Sequence, residues 1–371
     1  MSKHGLPNRA AAVLTAKHDE LASKRVTIGL DGFVDEIVSV VDMRESARRF
    51  TRVSTLSAFA NRVGQAAGKG TNVELVVTKV KLGGNGPIMA NALAAFGVRV
   101  TYIGSLGYPT IHPAFSELAR RATVHSIAEP GHTDALEFDD GKLMLGKHAT
   151  LKDVTWQNLK KCVGREKLLE SFAASTLVGL QNWTMLPHMS DIWQHVLDEV
   201  CPRLPKRANR SIFLDLADPE KRDPRDIRQA VTLVGRFQKY FDTYLGLNEK
   251  ESLEIGRVLG YDGPTEGESA VKTVAQFIQE VIGISAVVVH PRAYAVAADG
   301  KKVTLVRGPF TPKPLISTGA GDHFNAGFCL GKLIGANDET SLQLGVGTSG
   351  YYVRTAKSPS AKDLAEFLQS L

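Results

Sequence analysis

Apolar runs and amphipathic segments alternate regularly through the second half of the chain. Short apolar runs predict strands at 175–181, 211–215, 242–247 and 285–290. Segments with helical periodicity predict helices at 184–200, 223–239, 249–259, 266–282, 338–354 and 360–370. Strands that alternate with helices of this length favour an α/β fold, in which a parallel sheet is covered by helices on both faces.

The first half of the chain has a different pattern. An amphipathic helix is predicted at 8–23, within an N-terminal extension that covers residues 1–25, and the apolar run Val26–Leu30 predicts the first strand. Three further strand segments, one with a hairpin turn at Asp139–Gly141, do not fit a covered parallel sheet. They fall at about 37–43, 72–81 and 131–148. We therefore expect one domain over residues 1–371, in which these segments pair as a small β-sheet lid over the carboxyl ends of the main strands.

A Pro-rich loop leads into a helix through the stretch Ile316–Phe328. The backbone amides of Gly319, Ala320 and Gly321 would lie at the helix N-terminus, where the helix dipole attracts an anion. Asp322, in the same first turn, would repel that anion. The combination is explained if Asp322 accepts the proton of a hydroxyl group that attacks a bound phosphoryl group. The alternative is an acidic residue that the dipole simply favours in a first turn.

Composition and charge narrow the class of protein. A length of 371 residues suits one large domain with an appendage, and 43% hydrophobic and 23% charged residues are typical of a soluble globular protein. The net charge of +6 comes from dispersed Lys and Arg, so it gives little support to nucleic-acid binding and suits a small anionic ligand such as a nucleotide equally well. The lack of a long apolar segment or signal peptide argues against a membrane partner, and three scattered cysteines indicate the cytoplasm.

Two other glycine motifs are incomplete. The stretch Gly64–Thr71 lacks the Ser or Thr of a phosphate-binding P-loop, and no strand precedes it. Gly84 and Gly86 begin a dinucleotide-type fingerprint, but Met89 stands in the place of its third glycine. A nicotinamide-dependent dehydrogenase is therefore not favoured.

Three motifs occur in the order that is characteristic of one enzyme family. The first is the glycine turn and helix at Gly83–Gly97, the second is Tyr244–Glu251, and the third begins at Gly319–Asp322. Together they resemble the signatures of ribokinase-like carbohydrate kinases, the phosphofructokinase-B family, over roughly residues 26–370. The resemblance implies a ribokinase-like α/β domain with a Rossmann-type parallel sheet and a small β-sheet lid, ATP and Mg²⁺ as cofactors, and phosphoryl transfer to a sugar or polyol.

The resemblance also assigns roles to residues. Asp322 would be the catalytic base, and the amides of Gly319–Gly321 would form the anion hole. Asn248 and Glu251 would hold the network of Mg²⁺ and phosphate, Glu251 through water. Substrate hydroxyl groups would contact Asp31, Asp35, Gly84, Asn85 and Asn182. The two acidic residues of this set follow the first strand, at the edge where open α/β sheets place ligand contacts.

The chain departs from the family in its nucleotide segment. Val289–Tyr294 stands where the family has a Thr-x-Gly-x-x-Gly loop, and it resembles a His-containing motif of ADP-dependent sugar kinases. His290 thereby becomes a nucleotide-binding candidate, and ADP stays an alternative donor to ATP. Ile88 and Ile316 replace an Asn and an Asp of the family, so a non-catalytic sugar- or nucleotide-binding regulatory protein on the same fold is also left open. Lid strands often pair between subunits in this family, which implies a homodimer through the lid.

Several of these residues have structural interpretations as well. Asp35 could cap or turn the chain after the first strand, although its place near other acidic residues favours a substrate contact. Asn248 and Glu251 have the spacing of a helix capping box, which is compatible with a binding role. Trp183 is predicted in the core, and Lys81 is predicted on the surface.

Overall fold

The computed structural model of the protein describes residues 5–206 and 210–371. Within these ranges the chain forms fourteen β-strands: β1 (Arg25–Leu30), β2 (Phe33–Arg44), β3 (Phe50–Arg52), β4 (Leu75–Gly83), β5 (Arg99–Gly104), β6 (Thr123–Ser126), β7 (Gly131–Phe138), β8 (Gly141–Lys147), β9 (Leu177–Leu180), β10 (Ser211–Asp215), β11 (Asp242–Leu247), β12 (Ala286–Val289), β13 (Tyr294–Ala298) and β14 (Val303–Arg307). The same ranges contain thirteen α-helices: α1 (Leu6–Ala16), α2 (Leu56–Gly64), α3 (Asn85–Ala95), α4 (Ser116–Arg121), α5 (Trp156–Cys162), α6 (Arg165–Ala174), α7 (Met189–His195), α8 (Pro224–Phe237), α9 (Glu249–Leu259), α10 (Gly267–Ile282), α11 (Ala320–Leu333), α12 (Asp338–Thr355) and α13 (Ala361–Gln369).

Nine strands form the main sheet, in the order β14-β13-β12-β11-β10-β9-β1-β5-β6. Neighbouring strands from β12 to β6 are parallel, whereas β13 and β14 form an antiparallel edge. The register pairs Leu180 with Leu214 and Leu247 with Val289, close to the strand ends. The carboxyl ends of the parallel strands therefore meet at one edge, where open α/β sheets bind ligands.

Side chains of the main sheet alternate between two cores. On β10, Ile212 and Leu214 pack in a core shared with α5 to α10, and Phe213 packs in the core on the opposite face, with α1, α3 and α11 to α13. Trp156 and Trp193 are fully buried in the first of these cores. Helices thus cover both faces, which explains why the central strands are nearly continuous apolar runs. The predicted α/β fold is confirmed.

A second sheet, which we call the small sheet, consists of β2, β3, β4, β7 and β8. Strand β2 pairs antiparallel with β4 and parallel with β7, and β7 and β8 form a hairpin. Val38, Leu136 and Phe138 are among the residues in its own apolar cluster. The segments predicted at 37–43, 72–81 and 131–148 all contribute strands to this sheet. Strand β2 starts earlier than predicted, because the chain passes from β1 into it through two residues.

The helix predicted at 184–200 begins later than expected, at Met189, and ends as the π-helical turn Val196–Val200. The Arg222 guanidinium explains the late start. It donates hydrogen bonds at 2.7 to 3.0 Å to the backbone carbonyl oxygens of Trp183, Thr184 and Leu186. These carbonyls find their partner outside a helix, so the segment stays a loop. Trp183 is buried, as predicted.

Several short elements lack a clear signal in the sequence. Helices α5 and α6 are broken at Gly164, whose φ of 86° interrupts the helical periodicity. The predicted helix at 8–23 is two helices, α1 and the 3₁₀ helix His18–Ser23. Residues 1–4 of the predicted extension 1–25 lie outside the described residues. Within the described ranges, the helices are too short or too polar to cross a membrane.

Candidate active site

A cavity of about 590 Å³ lies between the carboxyl edge of the main sheet and the small sheet. The strand ends contribute Asn182 after β9, Asp215 at the end of β10 and Asn248 after β11. The small sheet contributes Phe33, Asp35, Thr133, Met144 and Gly146. The rest of the wall includes Gly84, Asn85, Glu251, His290, Thr318, Gly319, Gly321 and Asp322. Most residues that the sequence singled out therefore line one cavity.

Helix α11 begins at the cavity wall. Its N-cap is Gly319, whose φ of 89° is a left-handed conformation that favours glycine. The N–H groups of Gly319 and Gly321 have no hydrogen-bond acceptor within the described chain, whereas Ala320 donates its amide to the carbonyl oxygen of Ser317 at 3.1 Å. The prediction for Ala320 is therefore corrected, because its amide is used by the loop. The two free amides lie at the positive end of the helix dipole, where an anion is stabilised.

Asp322 is buried in the first turn of α11 and lines the cavity. Its Oδ1 accepts a hydrogen bond from Nδ2 of Asn85 at 2.9 Å. Burial is the largest cause that raises the pKa of the Asp322 carboxyl well above its ordinary value, and the charges of Asp215 and Asp31 raise it further. A carboxylate with a raised pKa binds a proton more strongly, so the site favours a basic role for this side chain.

Asp31 supports the site from behind the cavity wall. It is 0% exposed, and its carboxylate accepts hydrogen bonds from the backbone N–H groups of Asn85 and Gly86, each at 2.9 Å, and from Nδ2 of Asn182 at 2.8 Å. Burial raises the pKa of Asp31 to about 6, although these bonds oppose the rise. The predicted substrate contact is corrected for this residue. Asp31 positions the Gly84–Gly86 turn and Asn182, which contribute to the cavity lining, whereas Asp31 itself does not.

Asp35 is buried on β2 and faces the cavity. Its Oδ2 lies 4.0 Å from Nζ of Lys81, the residue opposite it on β4. The Lys81 side chain is 19% exposed, so its prediction as a surface residue is wrong. The register of β2 and β4, which the sequence does not reveal, turns it toward the carboxylate. Burial raises the pKa of Asp35 and lowers the pKa of Lys81, and each charge opposes the shift of the other.

Asn248 and Glu251 form a capping box at the start of α9. Asn248 Oδ1 accepts from the Glu251 amide at 2.9 Å, and Glu251 Oε2 accepts from the Asn248 amide at 2.8 Å. The other oxygen of Glu251 accepts from the amide of Asp218 at 2.9 Å. The structural interpretation is confirmed, and both side chains also line the cavity. Burial raises the pKa of Glu251, so a cation placed nearby would stabilise its charged form.

The described residues contain no group of three or more His, Cys, Asp or Glu side chains that could hold a metal ion by themselves. This is the arrangement that Mg²⁺ tolerates, because it usually keeps several waters and binds one or two carboxylates together with the phosphates of a substrate. A site at Glu251 with oxygen ligands from phosphate and water therefore fits the residues present.

His290 stands between the first cavity and a second one of about 520 Å³. Gly321 also lines both. The His290 ring packs against the ring of Phe324 with a centroid distance of 4.8 Å. Burial lowers the pKa of His290 to about 4, so its imidazole is neutral at pH 7. The second cavity is lined by several apolar residues: Pro309, Phe310, Pro312, Pro314, Val346 and Val353. Such a wall suits a flat ring, and Gly321 connects it to the anion site.

Asp215 is a site residue that the sequence reasoning missed. It accepts hydrogen bonds from Nδ2 of Asn325 at 2.8 Å and from the amide of Ala217 at 2.9 Å. Burial, followed by the charge of Glu251, raises the pKa of Asp215 to about 8. The signal was present, because Asp215 is the last residue of the strand predicted at 211–215, and acidic residues at such strand ends are ligand candidates.

The sequence matches a known family over residues 8–371, whose model is described as prokaryotic ketohexokinase. The ketohexokinase of Haloferax volcanii is 30% identical over 345 residues, which cover 92% of this chain and 90% of that relative. Among solved structures, the ribokinase of Arabidopsis thaliana complexed with ribose and ATP matches with a TM-score of 0.64 at 17% identity, over 93% of this chain and 98% of its own. The ribokinase of Cryptococcus neoformans in complex with ADP matches with a TM-score of 0.62 at 16% identity, over 92% of this chain and 98% of its own.

The fold, the cavity and these relatives define a carbohydrate kinase with a ribokinase-like fold, as the resemblance implied. It is thus a phosphotransferase that acts on a hydroxyl group of a sugar. More narrowly, the chain belongs to the prokaryotic ketohexokinase family. This membership does not favour the alternative of an ADP-dependent sugar kinase.

Proposed function

We propose that the protein transfers the γ-phosphoryl group of ATP to a hydroxyl group of a ketohexose, with Asp322 as the catalytic base. The observation that carries the proposal is that the Asp322 carboxylate and the free amides of Gly319 and Gly321 line the same cavity. The hydroxyl proton moves to Asp322 while the sugar oxygen forms a bond to the γ-phosphorus. The bond from that phosphorus to the β–γ bridging oxygen breaks, and its electron pair stays on ADP. The ketohexose class comes from the family and from the Haloferax volcanii relative.

The environment of Asp322 supports this role. The side-chain amide of Asn85 donates a hydrogen bond to Oδ1 of Asp322. This bond orients the carboxyl group and leaves Oδ2 for the hydroxyl proton. The raised pKa of Asp322 makes the carboxylate a stronger base than an exposed one. The two free glycine amides are aimed by the helix start, so they need no reorganisation when charge develops on the phosphoryl oxygens.

Sugar contacts are assigned to the half of the cavity beneath the small sheet. Asp35, buried and ionisable, accepts hydrogen bonds from sugar hydroxyl groups, and Asn85, Asn182 and the backbone of Gly84 line the same space. Phe33 and Met144 offer an apolar surface to the carbon atoms of the sugar. The small sheet then acts as the lid over this half and keeps water away from the phosphoryl group.

The nucleotide is assigned to the second cavity and the boundary between the two. The apolar wall takes the base of the nucleotide, and the triphosphate passes neutral His290 to reach Gly321. Asn248 and Glu251 would hold Mg²⁺ and the phosphates, Glu251 through water, and both Glu251 oxygens are oriented by backbone hydrogen bonds. When bound, Mg²⁺ would neutralise charge on the β- and γ-phosphates. ATP is the donor that membership of the ketohexokinase family favours.

The substitution Asp322→Asn tests the assignment of the base. We expect kcat to fall by about 10²- to 10⁴-fold, because the proton acceptor is lost, while ATP binding is retained. The matched control is Asp363→Asn, since Asp363 also lies in a first helical turn but belongs to the capping box of α13. This control should lower thermal stability and leave kcat unchanged. Normal turnover of the Asp322 variant would show that another group takes the proton.

A substrate panel tests the donor and the acceptor. ATP and ADP would each be combined with ketohexoses, aldohexoses, ribose and nucleosides, and the phosphorylated product would be measured by mass spectrometry. We expect product from ATP with a ketohexose. Faster turnover of ribose or a nucleoside would contradict the acceptor class, and product formed only from ADP would contradict the donor.

The proposal includes a homodimer through the small sheet. Strands β4 and β8 present exposed apolar residues, among them Leu75, Val77, Leu143 and Leu145. Exposed apolar strands of this kind are typical of interfaces between subunits. Light scattering of the protein would give the mass of a dimer, and Leu145→Lys would shift it toward a monomer.

A further inference from the structure

Carboxyl groups crowd the cavity before any phosphate arrives. Five carboxyl groups are buried in or against its wall: those of Asp31, Asp35, Asp215, Glu251 and Asp322. Burial raises the pKa of each of them. A space that disfavours the charged form of its own carboxyl groups would also disfavour a triphosphate and the negative charge that develops during its transfer. Phosphoryl transfer at this site therefore needs cations near the transferred group.

The basic residues that line the cavity supply little of that charge. Lys221 is paired with Asp218, with 3.0 Å between Nζ and Oδ2. Burial lowers the pKa values of His148 and His290, which favours their neutral forms. Mg²⁺ at Glu251 would neutralise the side of the phosphates that faces α9. The opposite side, beneath the small sheet, has no cation among these lining residues.

Lys142 of β8 lies on that opposite side. Successive residues of a strand point to alternate faces, so Lys142 shares a face of β8 with Met144 and Gly146, both of which line the cavity. Its Nζ donates a hydrogen bond to Oγ1 of Thr318. Thr318 lines the cavity and directly precedes Gly319, whose amide is free. The ammonium group is thus one hydrogen bond away from the wall of the anion site.

Two further contacts define this location. The hydroxyl group of Tyr352 donates to the carbonyl oxygen of Thr318 at 3.0 Å, which holds Thr318 in place below the lysine. The charge of Lys142 also opposes the rise in the pKa of Asp35 and adds to the fall in the pKa of Lys81, so the ammonium group is close to the sugar side as well. Lys142 therefore lies between the proposed sugar contact and the proposed anion hole.

We propose that Lys142 is a catalytic residue delivered by the small sheet, whose ammonium group exchanges the Thr318 hydroxyl for an oxygen of the transferring phosphoryl group. This inference rests on the function proposed above and adds a residue to it. Lys142 takes no part in proton transfer, since the hydroxyl proton goes to Asp322 and the bonds that form and break are those already described. A lysine suits the task, because its compact charge sits on a flexible stem that can change partner.

The substitution Lys142→Met tests the proposal, because methionine keeps much of the stem and removes the charge. We expect kcat to fall about 10²-fold, the usual effect of removing one group that stabilises transition-state charge, with the KM values for sugar and ATP unchanged. Binding of ADP with aluminium fluoride and sugar, which imitates the transferring phosphoryl group, should weaken by a similar factor, whereas binding of ADP alone should not change. Lys142→Arg should recover part of kcat because it restores the charge.

The matched control is Lys147→Met on the same strand. Lys147 points to the other face of β8 and pairs with Asp134 at 2.8 Å, so its loss should leave kcat unchanged. Equal kcat values for the Lys142 and Lys147 variants would overturn the proposal. A higher KM for sugar at unchanged kcat would also overturn it, because Lys142 would then bind ground-state substrate only.

The result is separable from the test of Asp322. If Asp322→Asn is inactive and Lys142→Met is normal, the base assignment stands and the role of Lys142 is rejected. If Asp322→Asn is normal and Lys142→Met loses turnover and binding of the aluminium fluoride complex, the base assignment fails and the role of Lys142 stands.

Discussion

The two walls of the cavity are constructed differently. At the edge of the main sheet, Asp31, Asp215 and Glu251 are buried, and each accepts a hydrogen bond from at least one backbone amide. On the small sheet, every residue of β8 from Gly141 to Lys147 is exposed, and the polar contacts of the strand's lysines are made by long side chains. Backbone amides hold the carboxylates of the first wall, whereas the lysines of the second wall make contacts that can change partner.

This difference separates two tasks of a kinase. A wall fixed by backbone amides keeps the base and the anion hole in position before substrates bind. Groups positioned in advance stabilise the charge of the transition state most effectively, because they need not reorganise during the reaction. A wall that ends in the exposed strand β8 can open to admit sugar and close for the transfer step. The following substitutions compare equivalent changes in the two walls.

The largest expected difference is between Gly86→Ala and Gly141→Ala. A Cβ atom on Gly86 would lie 2.6 Å from Oδ1 of Asp31 and 2.6 Å from the hydroxyl oxygen of Tyr102, whereas one on Gly141 would meet nothing within 4 Å. We expect the Gly86 variant to lose about 1–3 kcal/mol of unfolding free energy and most of its turnover, because Asn85 is displaced with the turn. The Gly141 variant should stay within about 0.5 kcal/mol of the wild type.

Urea unfolding and steady-state kinetics of the two variants would measure this difference. Equal losses of stability in both would mean that the two walls do not differ in how tightly they are packed.

An intermediate difference is expected between Asp31→Asn and Asp35→Asn. The Asp31 carboxylate accepts three hydrogen bonds from N–H donors, and an asparagine would turn its own NH₂ group toward at least one of them. We expect a loss of about 1–3 kcal/mol in unfolding free energy together with lower kcat. Asp35→Asn should instead raise the KM for sugar and leave the melting temperature unchanged or higher. A KM effect for Asp31 with unaltered stability would reverse the two roles.

A further comparison concerns the dependence of stability on pH. The pKa of Asp215 is about 8 in the folded protein, above its value of about 3.9 in an unfolded chain, so the folded state binds the extra proton between these values. Stability of the ligand-free protein should therefore fall as pH rises from about 4 to about 8. Thermal unfolding at pH 5 and pH 8 would measure the fall, which Asp215→Asn should reduce. If the stability of Asp215→Asn fell equally between pH 5 and pH 8, the pH dependence would belong to the other buried carboxyl groups.

Part of the cavity wall at the main sheet was predictable from sequence. Asp322 and Glu251 stand beside local signals, a glycine turn and an asparagine cap, whose geometry is set by neighbouring residues. Ala320 was predicted less well, because its amide finds a local acceptor in Ser317 that the sequence does not reveal. Local motifs therefore locate the site without deciding which backbone groups in it stay free.

The remaining errors concern contacts between distant segments. The place of Lys81 depends on the register between β4 and β2, and a shift of one residue would have left it on the surface, as predicted. Asp31 stands at a strand end, from which a carboxylate can point into the cavity or back into the neighbouring turn. The backbone amides of Asn85 and Gly86, which donate to Asp31, decide between these directions, and they come close to Asp31 only in the folded chain.

The hydrogen bonds of Asp31 also bear on how this enzyme can diverge. One carboxylate joins the end of β1, the Gly84–Gly86 turn and Asn182, so a mutation in any of these segments disturbs the other two. Compensating changes would have to arise together, which makes this wall resistant to stepwise evolution. The β7–β8 hairpin has no such joint. A library that randomises Thr133, Met144 and Gly146 would explore acceptance of new sugars while the phosphoryl-transfer wall stays intact.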